Sequence, residues 1–521
     1  MGTRERKITR RLAAAAGLLA LLSTAGPALA APGDNPAVSG TAVSRENANP
    51  GDGSWHSGRL KTPEIEGYSS NISVGPGERI DFAVSTRPAA RYRIEIIRLG
   101  WYGGAGGRRL ACLPSCTTSA QGFEQPEPPV LDPVTGKAVA GWQMTDNLTI
   151  PVDWISGYYI AKLRLLDGPH AGVSRRVPFV VRGAADDRSE ILAVAPVNTW
   201  QAYNNWGGKS LYYGSSTFRM PASHVSFDRP LLERDWVFKN EFPMVRFLER
   251  QGYNMSYATD IDVHRRPWIL KRHRLVIVLG HGEYWTRVER TAFEQARDAG
   301  VNLFFAGANT AYWQVRYADM ERTVVGYKAF PDPILQPWLK TTKFRNLQPP
   351  RPECKLLGVQ FRLFLDPHAA NALPYRVTSA ARKLRWFTGT GLHPGDRVYV
   401  VGNEWDRVVQ SCMKPKPTVL FHYGGTPTGD AVAYRARSGA IVFSGGSLQF
   451  ALGLDSFVPA GDPKTFNQAD PRLQRFTCNV IADMTRGPRV RLRYPVPCIT
   501  VQSTNVAPDD ANVEPGEQPE Q

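Results

Sequence analysis

One short segment constrains the fold of this chain more than any other. The apolar run Val276–Leu279 ends abruptly in a polar and aromatic run, Gly280–Thr286, and a helical pattern follows over Arg287–Ala299. This order is typical of a buried parallel strand that delivers side chains to the carboxyl edge of a sheet. Ligands of open α/β sheets bind at that edge. The sequence therefore predicts a site directly after this strand, with His281, Glu283 and Tyr284 as its candidates.

The next stretch repeats the pattern. Val301–Gly307 reads as a second buried strand, and Ala308–Trp313 follows it. Two successive strands thus end in Tyr-Trp pairs, at Tyr284 and at Tyr312. Phenols at the carboxyl edge of a parallel sheet can act as ligands, acids or pocket walls, and spacing alone leaves these three roles open.

The sequence predicts two or three folded domains, since about 490 residues are too many for one core. Residues 46–183 are rich in Gly and Pro and contain short alternating segments, which predict an Ig-like antiparallel β-sandwich. From residue 190 to 500, strands alternate with helices, which predicts a doubly wound α/β domain. Residues 331–383 are poor in periodicity and are interpreted as an insertion or lid. The elements behind these predictions are strands at Arg79–Val84, Tyr92–Leu99, Gly157–Leu165, Val177–Val181, Ile191–Ala195, Asn254–Ala258 and Gly439–Ser444, and a helix at Phe242–Gln251.

Both ends of the chain are expected to lie outside the fold. Residues 1–30 have a basic start, a short apolar run and a small-residue cleavage box, which predict a signal peptide for Sec or twin-arginine export. Residues 31–45 are expected to form a linker, and the acidic, Pro-rich residues 501–521 a disordered tail. We therefore expect a secreted or cell-surface protein.

Net charge narrows the possible partners. The formal charge is +16, and removal of the signal region leaves +12. Outside the cell, this charge favours attraction to anionic wall polymers or to a membrane surface. Nucleic acid is not expected, because basic runs interleaved with aromatic residues and known nucleic-acid motifs are missing from the sequence. Composition leaves the oligomeric state open, and a homo-oligomer stays one alternative.

The six cysteines form an even set, which in an exported protein predicts three disulfides. Cys112 and Cys116 would close a short loop. A Cys478–Cys498 pair would fix the C-terminal segment, and elimination leaves Cys354 with Cys412. Fifteen pairings are possible in principle, and the spacings do not match a zinc pattern.

Most hydrolytic chemistries lack their motif here. A serine or cysteine nucleophile needs a G-x-S-x-G or G-x-C-x-G turn, and the corresponding strand end reads Gly280-His281-Gly282-Glu283-Tyr284. Histidine spacing does not support a zinc or non-haem iron site. What remains is a set of oxygen donors, Tyr284, Tyr312, Glu283 and Glu404. Phenolate and carboxylate oxygens suit ferric iron, a Lewis acid, although aromatic packing is the alternative role for both tyrosines.

Several of these segments resemble the large (beta) subunit of N,N-dimethylformamidase and its relatives. The signature at the front is Gly100–Gly104, and the long run around Asn198-Thr199-Trp200-Gln201-Ala202-Tyr203 is the most specific match. The resemblance covers most of the chain after the signal peptide. The segments that carry it are Glu46–Arg108, Asn198–Tyr212, Gly280–Thr286, Gly307–Arg316, Gly402–Arg407 and Gly445–Asp455.

The resemblance implies a β-sandwich followed by a domain similar to class I glutamine amidotransferases without their catalytic cysteine. It also implies one ferric iron, held by two tyrosines and one glutamate, that hydrolyses small formamides. Carried onto this sequence, the metal ligands would be Tyr284, Tyr312 and Glu404, with Tyr317 and Tyr327 as lesser choices for the second tyrosine.

Hydrolysis would also need a proton for the departing amine, and His281 and Glu283 are the candidates for its transfer because both lie close to Tyr284 in sequence. The enzyme of this family works inside the cell, whereas this chain carries an export signal, so the substrate could be a small amide or a wall glycan. The alternative interpretation is a non-catalytic or carbohydrate-binding surface protein on the same scaffold, since tryptophans and tyrosines also suit sugars.

Overall fold

A computed structural model describes most of the chain between its two ends. The described residues are 40–56, 63–127, 131–212, 220–232, 237–364, 373–457, 469–487 and 490–503. The predicted signal peptide and nearly all of the predicted acidic tail lie outside these ranges, as does most of the predicted linker.

The first region is built from β-strands. Its described elements are helix α1 (Ala42–Asn47) and strands β1 (Ile65–Ser69), β2 (Ser73–Val74), β3 (Arg79–Thr86), β4 (Arg91–Leu99), β5 (Gly107–Leu113), β6 (Ala120–Gln121), β7 (Asp146–Thr149), β8 (Gly157–Leu165) and β9 (Ser174–Val181).

Within the described residues, these strands form two sheets. One has the order β1-β3-β7, and the other has the order β2-β9-β8-β4-β5 with β6 also paired to β4. All pairs are antiparallel except β2 with β9. Side chains of both sheets meet in one apolar core, with Ile80 and Phe82 from the first sheet against Tyr159 and Phe179 from the second. Alternation of apolar and polar residues along β3 and β4 is what turns one face of each sheet toward this core.

The second region mixes strands and helices. Its described helices are α2 (Val197–Tyr203), α3 (Phe242–Gln251), α4 (Asp260–Arg265), α5 (Arg287–Asp298), α6 (Cys354–Leu357) and α7 (Pro471–Thr485). Its strands are β10 (Ile191–Ala195), β11 (His224–Ser226), β12 (Met255–Thr259), β13 (Leu275–Val278), β14 (Tyr284–Thr286), β15 (Asn302–Phe305), β16 (Trp313–Ala318), β17 (Thr323–Val325), β18 (Gln360–Phe364), β19 (Leu373–Val377), β20 (Arg397–Val401), β21 (Glu404–Arg407), β22 (Thr418–Tyr423), β23 (Gly429–Arg435) and β24 (Ile441–Ser444).

The main sheet of this region has nine described strands in the order β12-β10-β13-β15-β24-β23-β22-β19-β20. The first five are parallel, and the rest are antiparallel. The predicted parallel sheet is therefore only half of the observed one. Two smaller sheets have the orders β11-β17-β16-β14 and β18-β21. Strands β14 and β16 follow the parallel strands β13 and β15 along the chain.

Local signals explain the helices that flank the sheet. Helix α5 begins with a capping box, in which the Thr286 side chain accepts from the Glu289 N–H and the Glu289 carboxylate accepts from the Thr286 N–H. Helix α3 ends at Gly252, whose φ of 68° is the left-handed conformation that glycine adopts without strain. Both helices lie within one or two residues of their predicted bounds.

The predicted insertion or lid, residues 331–383, is only partly a separate element. Its strand β19 lies inside the main sheet between β22 and β20, and β18 pairs with β21. Sequence periodicity did not show these strands because they pair with partners far along the chain. The Ig-like and glutamine amidotransferase-like assignments stay predictions, whereas the mixture of a β region with an α/β region is what the structure has.

The two regions share a core. Strands β8 and β9 are buried on nearly every residue, because their second face packs against the α/β region. Ile97, Tyr158 and Val180 therefore belong to the same apolar cluster as Phe242 and Ile277.

All three predicted disulfides are confirmed: Cys112–Cys116, Cys354–Cys412 and Cys478–Cys498. Three disulfides fit an oxidising, extracellular compartment. Over the part of the chain that the structure describes, no helix is both apolar enough and long enough for a membrane span.

Candidate functional site

The predicted site lies at the carboxyl end of β13, where the chain makes a close turn. Gly280 has a φ of 47°, and a Cβ at this position would lie 2.6 Å from Cγ of Glu241. A Cβ on Gly307, after the neighbouring strand β15, would lie 2.0 Å from the Gly280 carbonyl oxygen. Glycine is required at both positions because the two strand ends approach so closely. The turn brings His281, Glu283 and Tyr284 into the interior, where all three are buried.

Glu283 is bound by two tyrosines that come from a distant part of the chain. The Tyr203 hydroxyl donates to Oε2 of Glu283 at 2.9 Å, and the Tyr212 hydroxyl donates to Oε1 at 2.5 Å. The two hydroxyls are 2.9 Å apart, and the rings stack with centroids 4.4 Å apart. Tyr203 is the last residue of α2, so the helix places it at the sheet edge. Two phenols and one carboxylate thus converge on one point.

A second carboxylate, that of Glu404, is connected to Glu283 by the His281 side chain, which lies between them. Nε2 of His281 lies 3.2 Å from Oε2 of Glu404 and 3.5 Å from Oε2 of Glu283. Burial by itself would lower the pKa of His281, but Glu404 and Glu283 outweigh it, and the pKa is raised. The imidazole is therefore held in a state that can give up a proton to a basic group between the two carboxylates.

Two asparagines in the left-handed conformation position Glu404. Asn309 has a φ of 51°, and its Nδ2 donates to Oε2 of Glu404 at 2.7 Å. Asn403, directly before Glu404, has a φ of 59°. This conformation costs free energy for residues other than glycine and concentrates at functional sites. The Asn309 N–H also donates to Oδ1 of Asp406 at 2.9 Å, which fixes the strand that carries Glu404.

Lys328 provides a cation on the other side of the phenols. Its Nζ donates to the Tyr284 hydroxyl at 2.7 Å, lies 3.1 Å from the centroid of the Tyr212 ring, and is 4.0 Å from Oε1 of Glu283. Burial lowers the pKa of Lys328 to about 8, against the opposing effect of Glu283 and Glu404. Lys328 can therefore hold or release a proton near neutral pH. Nothing in the sequence pattern marked this residue.

The predicted metal ligands are divided between two environments. Tyr284 and Glu404 both border the cluster around Glu283. The Tyr312 ring instead packs on Phe361, with centroids 5.1 Å apart, and lies 5.0 Å from the guanidinium of Arg345. The Tyr284, Tyr312 and Glu404 set stays a prediction.

The two lesser candidates are also placed. The Tyr317 hydroxyl donates to Oδ1 of Asn198 at 2.8 Å. The Tyr327 ring packs edge-on against His224.

A set of residues other than Tyr284, Tyr312 and Glu404 matches more closely the metal ligands that the family resemblance implies. Tyr203, Tyr212 and Glu283 are two tyrosines and one glutamate whose oxygens already contact one another. Once deprotonated, phenol oxygens are hard anionic ligands, like the carboxylate oxygens, and such oxygens fit ferric iron. Among the described residues, no group of three His, Cys, Asp or Glu side chains is arranged as a metal site. Tyr203 and Tyr212 were visible in the sequence as part of the Asn198–Tyr212 run, but their distance from Glu283 along the chain hid the contact.

Comparison with known proteins gives one family and two relatives. The family model described as N,N-dimethylformamidase beta subunit-like, C-terminal, matches residues 93–466. The chain is 23% identical over 219 residues to the N,N-dimethylformamidase beta subunits of an Alcaligenes species and of Paracoccus aminophilus. Each match covers 33% of this chain and 28% of the relative. The matched part therefore amounts to less than a third of the length of either relative.

Proposed function

Because this chain belongs to the N,N-dimethylformamidase beta subunit-like family, we propose that it hydrolyses the C–N bond of small amides with one ferric iron held by Tyr203, Tyr212 and Glu283. The observation that carries the proposal is the direct contact of two tyrosine hydroxyls with one buried carboxylate. The family match does not favour the alternative of a non-catalytic, carbohydrate-binding surface protein.

The ligand set follows from the donor chemistry. Once deprotonated, the two phenols and the carboxylate together would supply three negative charges to a trivalent cation. When bound, the ferric iron would act as a Lewis acid that polarises the amide carbonyl and lowers the pKa of bound water. Lys328 lies on the Tyr212 ring and donates to the Tyr284 hydroxyl, so it stabilises negative charge on this side of the site.

His281 is the residue best placed to move a proton. Its Nε2 lies between Glu283 and Glu404, which favour its protonated form. Expulsion of the amine from a tetrahedral intermediate needs a proton on the nitrogen, and a protonated Nε2 can donate it. Glu404 then holds the imidazole in place, and Asn309 holds Glu404. Glu283 takes the role of ligand in this proposal rather than that of proton donor.

Matched Tyr→Phe variants separate the two possible ligand sets. The purified protein is expected to bind one ferric iron per chain and to show a tyrosinate-to-iron charge-transfer band in its visible spectrum. Tyr203→Phe and Tyr212→Phe should each weaken or remove the band, whereas Tyr312→Phe should leave it intact. Loss of the band in Tyr312→Phe, with retention in Tyr212→Phe, would instead support the ligands predicted from the sequence. A protein that takes up no ferric iron would refute both sets.

A second variant tests the proton donor. His281→Gln should retain iron and its charge-transfer band but lose about 100-fold or more in kcat for a small formamide, because general acid catalysis contributes on that scale. Retention of full activity would show that the proton reaches the amine by another route.

A further inference from the structure

A basic groove lies on the α/β region away from the site described above. It encloses about 520 Å³ and is open to solvent on one side. Its lining brings one carboxylate, Glu294, together with the cationic side chains of Arg290, Arg297, Arg351, Lys355, Lys414 and Arg437. Six cations around a single carboxylate leave a strong excess of positive charge in one concave surface.

Helix α5 forms one wall of the groove. Arg290, Glu294 and Arg297 are spaced four and three residues apart, which places them on one face of the helix. Glu294 already binds two of the cations: its Oε1 is 2.9 Å from Nε of Arg290, and its Oε2 is 2.6 Å from Nη2 of Arg351. The carboxylate thus orders two guanidinium groups. Arg297 is paired with the neighbouring Asp298, whose Oδ1 is 2.8 Å from its Nε, so the excess of positive charge comes mainly from Lys355, Lys414 and Arg437.

Arg290 shows that this surface has an unmet requirement for an acceptor. Its side chain is fully buried, with Nε on Glu294 and Nη2 donating to the carbonyl of Pro352 at 3.2 Å. Its Nη1 is buried and has no hydrogen-bond partner among the described residues. A buried N–H without an acceptor costs free energy, and Arg290 is one of the residues that line the groove.

A disulfide joins the opposite walls. The Cys354–Cys412 bond links the segment that carries Lys355 to the loop that carries Lys414. The Lys355 carbonyl also accepts a hydrogen bond from Nη1 of Arg297 at 2.8 Å. The lysines are therefore attached to a rigid frame, although their own side chains are exposed. A preformed arrangement of cations reduces the entropy lost when an anion binds.

We infer that this groove binds a phosphate-bearing, linear anion. Four of its six cations are arginines, whose planar donors match phosphate oxygens in pairs. The distance from Arg290 to Arg297 along α5 is about 10 Å, so an extended anion can contact both ends. Arg437 lies in the turn between β23 and β24, and Arg297 is at the end of α5, so the groove opens at the amino ends of the parallel strands. The cluster of Tyr203, Tyr212 and Glu283, which we call the tyrosine site, lies at the carboxyl ends of these strands. The groove and the tyrosine site are therefore separate.

The test uses the full chain and two phosphate probes in calorimetric titrations at fixed ionic strength. Inorganic tripolyphosphate represents a small condensed phosphate, and poly(glycerol phosphate) represents a phosphodiester polymer. Lys414→Glu with Arg437→Glu changes two exposed groove cations. Arg382→Glu with Lys383→Glu is the matched control, because it reverses two exposed cations outside the groove and gives the same net charge.

The groove variant is expected to bind at least one probe about tenfold more weakly than the unchanged protein, whereas the control variant should stay within about twofold. Binding of tripolyphosphate alone would identify a small phosphate, and tighter binding of the polymer would identify a surface phosphodiester. Equal weakening in both variants would show attraction to net charge only and would overturn the proposal. Equally tight binding of polyaspartate would overturn the phosphate specificity.

Discussion

The interface between the two regions and the tyrosine site both bury several ionisable side chains, but they satisfy them differently. At the interface, the carboxylate of Glu249 meets the guanidinium of Arg98 at 2.8 Å, with both side chains fully buried. At the site, Glu283 is bound by two neutral phenols at 2.5 Å and 2.9 Å, whereas Nε2 of His281 and Nζ of Lys328 lie farther from it, at 3.5 Å and 4.0 Å. The carboxylate of Glu249 thus has an opposite charge at hydrogen-bond distance, whereas the shortest contacts of Glu283 are with hydroxyls that a bound cation could replace.

This difference has an energetic meaning. A buried charge with an opposite partner contributes little net stability, but removal of one partner is costly because the other stays buried and unpaired. When a carboxylate bound by two hydroxyls is changed to an amide, the amide oxygen still accepts from one hydroxyl and the new NH2 group can donate to the oxygen of the other. Stability should therefore depend strongly on the interface pair and weakly on the site carboxylate.

The largest effect is expected from Arg98→Met. The substitution removes the positive charge that is paired with Glu249. The carboxylate stays buried and keeps its hydrogen bonds from Asn47 and Tyr257, at 2.5 Å and 2.8 Å. We expect the free energy of unfolding to fall by about 3–5 kcal/mol, measured by urea denaturation with circular dichroism. The double variant with Glu249→Leu is the control and should recover at least half of the loss. A loss below about 1 kcal/mol in the single variant would contradict the pairing rule for the interface.

Glu241 sharpens the comparison, because it is an interface carboxyl whose donors are neutral. It accepts from the Tyr158 hydroxyl of the first region and from Nε1 of Trp200 in the second. Burial raises its pKa from 4.5 to about 8, although both hydrogen bonds act in the opposite direction. The folded state therefore holds this proton more tightly than the unfolded chain does.

The sign of the pH dependence follows from that shift. The contribution of Glu241 to stability is fully present below pH 4.5 and is lost as the pH rises toward 8. Glu241→Gln removes this loss, so relative to the unchanged protein the variant should gain on the order of 2 kcal/mol between pH 5 and pH 8. Urea denaturation at both pH values measures the change. Other groups titrate in both proteins, so the test is the difference between the two curves of unfolding free energy against pH. Parallel curves between pH 5 and pH 8 would show that Glu241 does not titrate in this range.

Local sequence patterns predicted the elements of the fold better than their arrangement. Strand β8 and helices α3 and α5 lie within one or two residues of the predicted bounds, because alternation, capping and a terminal glycine are local signals. The antiparallel half of the main sheet was not predicted. Strand β19 comes from a segment with weak periodicity, and its place between β22 and β20 depends on pairing with residues distant in sequence.

The same limit applies to the site. The strand that ends at Gly280 predicted the location of His281 and Glu283, because a parallel strand presents its carboxyl end to ligands. The phenols that contact Glu283 come from α2 and the loop after it, about 70 to 80 residues earlier in the chain. Spacing along the sequence cannot report such a contact. Lys328 was missed for the same reason.

The smallest change in stability is expected from Glu283→Gln, and it tests the site side of the comparison. The amide oxygen can still accept from one phenol, so the free energy of unfolding of the metal-free protein should fall by at most about 1 kcal/mol. Ferric iron uptake and amide hydrolysis should both be lost. Glu249→Gln is the matched control at the interface, and it should cost about 3 kcal/mol because Arg98 stays buried without its counter-charge. A carboxylate that serves as a metal ligand need not stabilise the protein when the metal is absent. An equal fall in the free energy of unfolding in the two variants would therefore mean that Glu283 stabilises the fold as Glu249 does.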